Sequence, residues 1–129
     1  MSGETDLSQL IQNMKPELIK GEFVFASLEE EQINKLHPIC NFIEEEGISV
    51  IINRDEADLN YIQYDSVFRM LTLNIHSSLN AVGFLAKITG ELDKHNISVN
   101  PVSAYYHDHL FVPTARAEEA VNILKQLQC

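Results

Sequence analysis

The sequence predicts an α+β fold built from two successive units, and three observations carry that reading. Short apolar segments switch between strand-like and helical periodicity along the chain. The second half spells strand, helix, strand, strand, helix. The first half repeats the hairpin-plus-helix end of that pattern, and 129 residues suffice for one domain or two very small units sharing a core.

In the first half, Thr5 or Asp6 is placed to cap a helix carrying Leu7, Leu10, Ile11 and Met14, which Pro16 limits. Glu22 to Leu28 is rich in Val, Phe and Ala and reads as a buried strand; Glu29 to Leu36 reads as a helical turn or loop. Ile39 to Ile43 and Ile48 to Asn53 flank Glu44-Glu45-Glu46-Gly47, a hairpin signal with a solvated acidic tip. Arg54 to Ile62 reads as a helix capped by Asp55, with Leu59 and Ile62 on its buried face.

In the second half, Phe68 to Ile75 alternates, with Leu71, Leu73 and Ile75 on one face and Thr72, Asn74 and His76 on the other. Asn80 to His95 carries Ala81, Leu85, Ile88 and Leu92 at helical spacing, with Lys87 and Glu91 paired opposite and Asn96 closing the helix. Ile97 to Tyr106 reads as a strand with Pro101 at a bulge or an edge, and Tyr105 and Tyr106 divided between core and surface. His107-Asp108 turns into a strand to Val112. Thr114 caps a final helix with Ala117, Ala120, Val121, Leu124 and Leu127. A crossover, a hairpin and a second helix make the βαββα unit of a ferredoxin-like sandwich. The expected division is 1–65, an opening helix plus a degenerate copy, and 66–129, a complete unit.

Charge narrows the function. The 19 Asp and Glu outnumber 9 Lys and Arg, for a net charge of −10, and the excess lies entirely in residues 1–65. The basic residues are scattered singly, so nucleic acid and anionic membrane are excluded as partners. Met1 to Lys20 has neither a leader pattern nor a spanning segment, and Cys40 and Cys129 cannot make a disulfide framework, so the expected location is cytoplasmic. Cys40 is expected to be a small buried residue and Cys129 part of a frayed terminus.

The stretch Leu71 to Val112, with LTLNIH, SSLNAVG, GFLAKITGELDKHNI and SVNPVSAYYHDHLFV, resembles an ACT domain. Gly83 takes the place of the glycine that family motifs carry at the first helix, and His76 and Ser77-Ser78-Leu79 replace the usual aspartate and proline of the loop. The whole chain resembles a small stand-alone bacterial family with two ACT-like units and no attached catalytic domain, the HSSLNAVG loop and YYHDHLFV hairpin being its marks. The resemblance implies amino-acid binding at the loop before the helix.

A helix N-terminus presents unsatisfied N–H groups and favours a carboxylate. Ser77, Ser78, Leu79, Asn80, Ala81, Val82 and Gly83 are therefore the expected ligand-binding residues. Ser78 or Asn80 serving merely as a cap is the plainer account. Asp108 or Asn80 would take the amine of the ligand, at a junction of units or subunits. His107 and His109 share a strand face, but two ligands fall short of a metal site, and no metal or other cofactor is expected. No Gly-rich phosphate loop, G-x-S-x-G, H-E-x-x-H or C-x-x-C is present, which disfavours an enzyme. The expectation is a regulatory sensor of a small molecule, an amino acid, that forms homo-oligomers through sheet edges or helices. A structural oligomerisation module without a ligand is the alternative, and a metal-dependent enzyme using His76, His107 and His109 ranks below it.

Overall fold

The computed structural model describes residues 3–128. Along them run α1 (Leu7–Asn13), β1 (Pro16–Leu18), β2 (Phe23–Leu28), α2 (Glu30–Ile33), β3 (Cys40–Ile43), β4 (Ile48–Asn53), α3 (Arg54–Leu59), β5 (Phe68–Leu73), α4 (Phe84–Asp93), β6 (Asn100–Ser103), β7 (Asp108–Pro113) and α5 (Ala117–Gln126), the last preceded by a 3₁₀ turn at Thr114–Arg116. They form two compact units. One is continuous, Gly21–Phe68; the other combines the described parts of Met1–Lys20 and Arg69–Cys129. The opening helix and β1 thus group by contacts with the C-terminal half. Cys40 is free and half-buried rather than buried, and Cys129 lies outside the described residues.

The continuous unit is a βαββα motif whose first helix is a single turn. Its strands lie in the order β3-β4-β2, antiparallel throughout, with β3 and β4 joined at Glu44–Gly47. Alternation sends Val24 and Leu28 of β2 and Val50 and Ile52 of β4 to one face, where they pack with Ala57 and Ile62. Two local expectations need correction. Asn53, not Asp55, caps α3: its side chain accepts from the Asp55 N–H at 2.8 Å. Leu59 is 78 % exposed, because α3 ends there, and Tyr61 in the left-handed region (φ 57°) folds Ile62 back, its N–H donating to the Ala57 carbonyl at 2.9 Å.

The discontinuous unit is the complete one. Strands β5, β7 and β6 with helices α4 and α5 supply βαββα, and β1 pairs antiparallel with β5 (Glu17 opposite Thr72) as a fourth strand drawn from the front of the chain. Leu71 and Leu73 of β5 and Leu110 and Val112 of β7 face α4 and α5 through Phe84, Ile88, Leu92, Ala120 and Leu124. Leu10 of α1 and Met14, the residue that closes it, complete this core and are fully buried. Asp6 caps α1 as expected, accepting from the Gln9 N–H at 3.1 Å.

Several boundaries shift here. Helix α4 begins at Phe84 rather than Asn80, and Phe84, not Ala81, is the first residue of its buried face. Glu91 pairs with Lys94 at 3.2 Å instead of with Lys87. Asn96 does close the helix: it is left-handed (φ 57°), its N–H donates to Asp93, and that of Ile97 donates to Leu92. This is the pair of hydrogen bonds of a Schellman motif, and it tucks Ile97 into the core. The strand that follows is only Asn100–Ser103, on the sheet edge and with unbroken register against β7, so Pro101 occupies an edge position without a bulge. The turn comes before His107-Asp108: Ala104 donates to the His107 carbonyl, and Tyr105 and Tyr106 sit at the tip, both exposed.

Candidate functional site

Asp108 opens β7, and the alternation that sends Leu110 and Val112 into the core places its side chain on the same, helix-covered face. It is buried, and Ser77 Oγ, also buried, donates to Asp108 Oδ2 at 3.1 Å. Both line a cavity of about 220 Å³ together with Ser78, Leu79, Ala81, Gly83, Ser103 and the first turn of α4, Phe84 to Ala86. Among the described residues of that lining Asp108 is the one charged side chain, and all of them belong to the discontinuous unit.

Gly83 decides where α4 starts. Its φ of 89° lies in the region that glycine adopts without strain, no side chain caps the helix, and the first intrahelical bond runs from the Lys87 N–H to the Gly83 carbonyl. The N–H groups of Phe84, Leu85 and Ala86 precede that bond, so the partial positive charge of the helix is delivered beside the cavity. These three residues and Ser103 were not expected from the sequence. A glycine directly before a helical stripe was the available signal, obscured by the earlier Ser78 and Asn80.

The structure brings Ser77, Ser78, Leu79, Ala81, Gly83 and Asp108 together at the cavity. Asn80 and Val82 lie outside its lining, Val82 being 84 % exposed. Three of the expected backbone donors are already engaged: the Ser78 N–H donates to the Glu4 carbonyl (2.9 Å), that of Asn80 to Ser78 Oγ (3.0 Å) and that of Ala81 to the Ser78 carbonyl (3.0 Å). Ser78 thus shapes a turn, and neither it nor Asn80 caps α4.

The chain's opening residues strap this loop from outside. Glu4 forms a parallel bridge with Ser77, its N–H donating to the His76 carbonyl at 2.9 Å. Gly3 lies so close that a Cβ there would stand 2.5 Å from the His76 oxygen. On the hairpin side, His76 packs against Tyr106 and Tyr105, with ring centroids 5.1 and 6.1 Å away. Tyr105 and Tyr106 meet edge to face.

The opposite face of β7 carries His109, and His107, at the turn before the strand, lies beside it with ring centroids 6.3 Å apart; His109 Nδ1 lies 2.9 Å from Thr72 Oγ1 of β5. His76, which the metal-dependent alternative needs, is engaged with the tyrosines instead. Among the described residues no group of three or more His, Cys, Asp or Glu is placed to hold a metal. Burial, and then the neighbouring His107, push the His109 pKa below its ordinary value of 6.5, Asp108 opposing. The native state therefore resists a proton that the unfolded chain accepts. Stability is expected to fall as pH drops from 6.5 through the lowered native value. His109→Gln should flatten that slope in denaturant melts taken between pH 7.5 and 5; an unchanged slope would refute the assignment.

Sequence models of the ACT domain match residues 2–69 and, separately, 65–126. The chain belongs to the ACT domain family. Two ACT matches in tandem agree with the two βαββα units and with a ferredoxin-like architecture. A Vibrio cholerae protein of unknown function, described as a possible transport protein, is 34 % identical, with 95 % of this chain and 96 % of that one covered and a TM-score of 0.86. Agrobacterium tumefaciens protein Atu0741 shares the fold at 16 % identity (89 % of each chain, TM-score 0.66). So does the ligand-free regulatory subunit of aspartate kinase from Thermus thermophilus, at 8 % identity (87 % and 95 %, TM-score 0.63). No curated protein matches. Membership of the ACT domain family supports a regulatory, small-molecule-binding role, and no helix among the described residues is long and apolar enough to cross a membrane.

Proposed function

We propose that this tandem ACT protein is a cytoplasmic sensor that takes up an amino acid, or a metabolite with the same paired ammonium and carboxylate, in the cavity beside Asp108. The observation that carries the reading is the pairing of opposite electrostatics across one small space. A buried carboxylate stands on one wall and the uncapped N–H groups of Phe84, Leu85 and Ala86 on another. The first attracts an ammonium through charge-assisted hydrogen bonds; the second attracts a carboxylate. The regulatory subunit of aspartate kinase, which shares the fold, supports only the regulatory part of the reading, by analogy of fold.

A ligand that binds only the native state raises its melting temperature by mass action. Thermal melts against all common amino acids at millimolar concentration are expected to show an upward shift for one or a few of them. A flat panel would remove the proposal.

Assembly is part of the reading. Strand β3 is the edge of its sheet, and its Phe42 and Ile43 are 72 % and 79 % exposed, an apolar edge of the kind that pairs with a second copy. Phe42→Lys is expected to shift sedimentation toward the monomer, whereas an unchanged coefficient would place any assembly elsewhere.

A further inference from the structure

We propose that His107 and His109 form a two-imidazole site for a borderline divalent transition ion (zinc, nickel or copper) on the face of β7 turned away from the cavity. The spacing supplies the first condition. His107 sits at the hairpin turn one residue before β7 and His109 two residues on within it, and the two rings are in contact at 6.3 Å between centroids, with planes inclined by 73°. The second condition is orientation. A metal-binding histidine is normally held through its other ring nitrogen by an outer partner, and His109 Nδ1 is so held by the buried hydroxyl of Thr72 at 2.9 Å. In the tautomer with Nδ1–H donating to Thr72 Oγ1, Nε2 is the nitrogen left for an ion.

The other imidazoles have other neighbours: His37 meets Glu56, His95 Nδ1 lies against the Glu91 carbonyl, and His76 is inclined against Tyr106, whose ring also approaches His107 at 6.5 Å between centroids. Two imidazoles without a carboxylate select zinc, nickel or copper over magnesium or calcium, which require oxygen ligands. With only two protein ligands, the remaining coordination positions belong to water or to a donor from outside the chain. The site would therefore load reversibly.

The test is calorimetric titration of the full chain with zinc chloride, with magnesium chloride run beside it. One zinc per chain is expected, with no magnesium heat. His107→Ala and His109→Ala should each weaken zinc at least tenfold, and Thr72→Val, which removes only the outer partner, by about tenfold; His37→Ala should leave it unchanged. If His109→Ala does not fold, His107→Ala decides alone, because that ring precedes β7 at the hairpin. Zinc binding that survives the His107 substitution at full strength, or that is no tighter than magnesium, overturns the proposal. Neither result depends on whether an amino acid binds at Asp108.

Discussion

Leu10→Ala is expected to destabilise the protein by about 2–5 kcal/mol, the range for emptying a large side chain from a closed core. An opening amphipathic helix before a strand would ordinarily be a dispensable appendage. Here Leu10 is fully buried among Leu71, Leu73 and Leu124, far away in sequence, so its truncation leaves a void that the helices must close. Hydrogen exchange provides the sharper check. Protection should fall for amides of β5, β7, α4 and α5, while the core amides of β2 and β4 keep theirs until global unfolding. Uniform loss across both groups, or a loss of stability below 1 kcal/mol, would contradict the discontinuous unit.

Asp108→Asn carries the second large effect, on binding. The amide keeps the shape of the carboxylate and can still accept from Ser77, so the fold should survive with a small change in melting temperature. The negative charge facing the cavity is lost. A charge-assisted hydrogen bond contributes roughly 1.5–3 kcal/mol, so the responsive amino acid should bind about 10- to 100-fold more weakly. Val82→Ala, at an exposed position outside the lining, should bind as the parent does. Equal affinity for Asp108→Asn and the parent would move the ammonium contact to another residue.

The elements legible in the sequence were those with enough residues to display a period. The alternation of Leu71 and Leu73 declared β5, although the strand stops before Ile75, the Ile88 and Leu92 stripe declared α4, and Gly47 behind three glutamates declared the β3–β4 hairpin. What stayed hidden depended on contacts distant in sequence. Pro16-Glu17-Leu18 is too short to alternate visibly and becomes a strand only because β5 lies opposite. Tyr105 and Tyr106 looked like strand continuation, yet the Ala104–His107 turn sets them at a tip. At the site, Ser77 and Asp108 were both legible as candidates, but their hydrogen bond was not. The engagement of the Ser78 N–H by Glu4 was hidden for the same reason, since both join residues dozens of positions apart.

Because β1 must wait for β5, the order of synthesis matters. On the ribosome, Gly21–Phe68 emerges with its own hairpin and core and can settle early. Pro16–Leu18 stays without its sheet neighbour until Leu71–Leu73 has been made. Closing a loop of that length as loose chain is entropically costly and slow. A nascent inner unit that has already collapsed shortens the search, which gives Gly21–Phe68 a part in assembly kinetics separate from anything the finished protein binds.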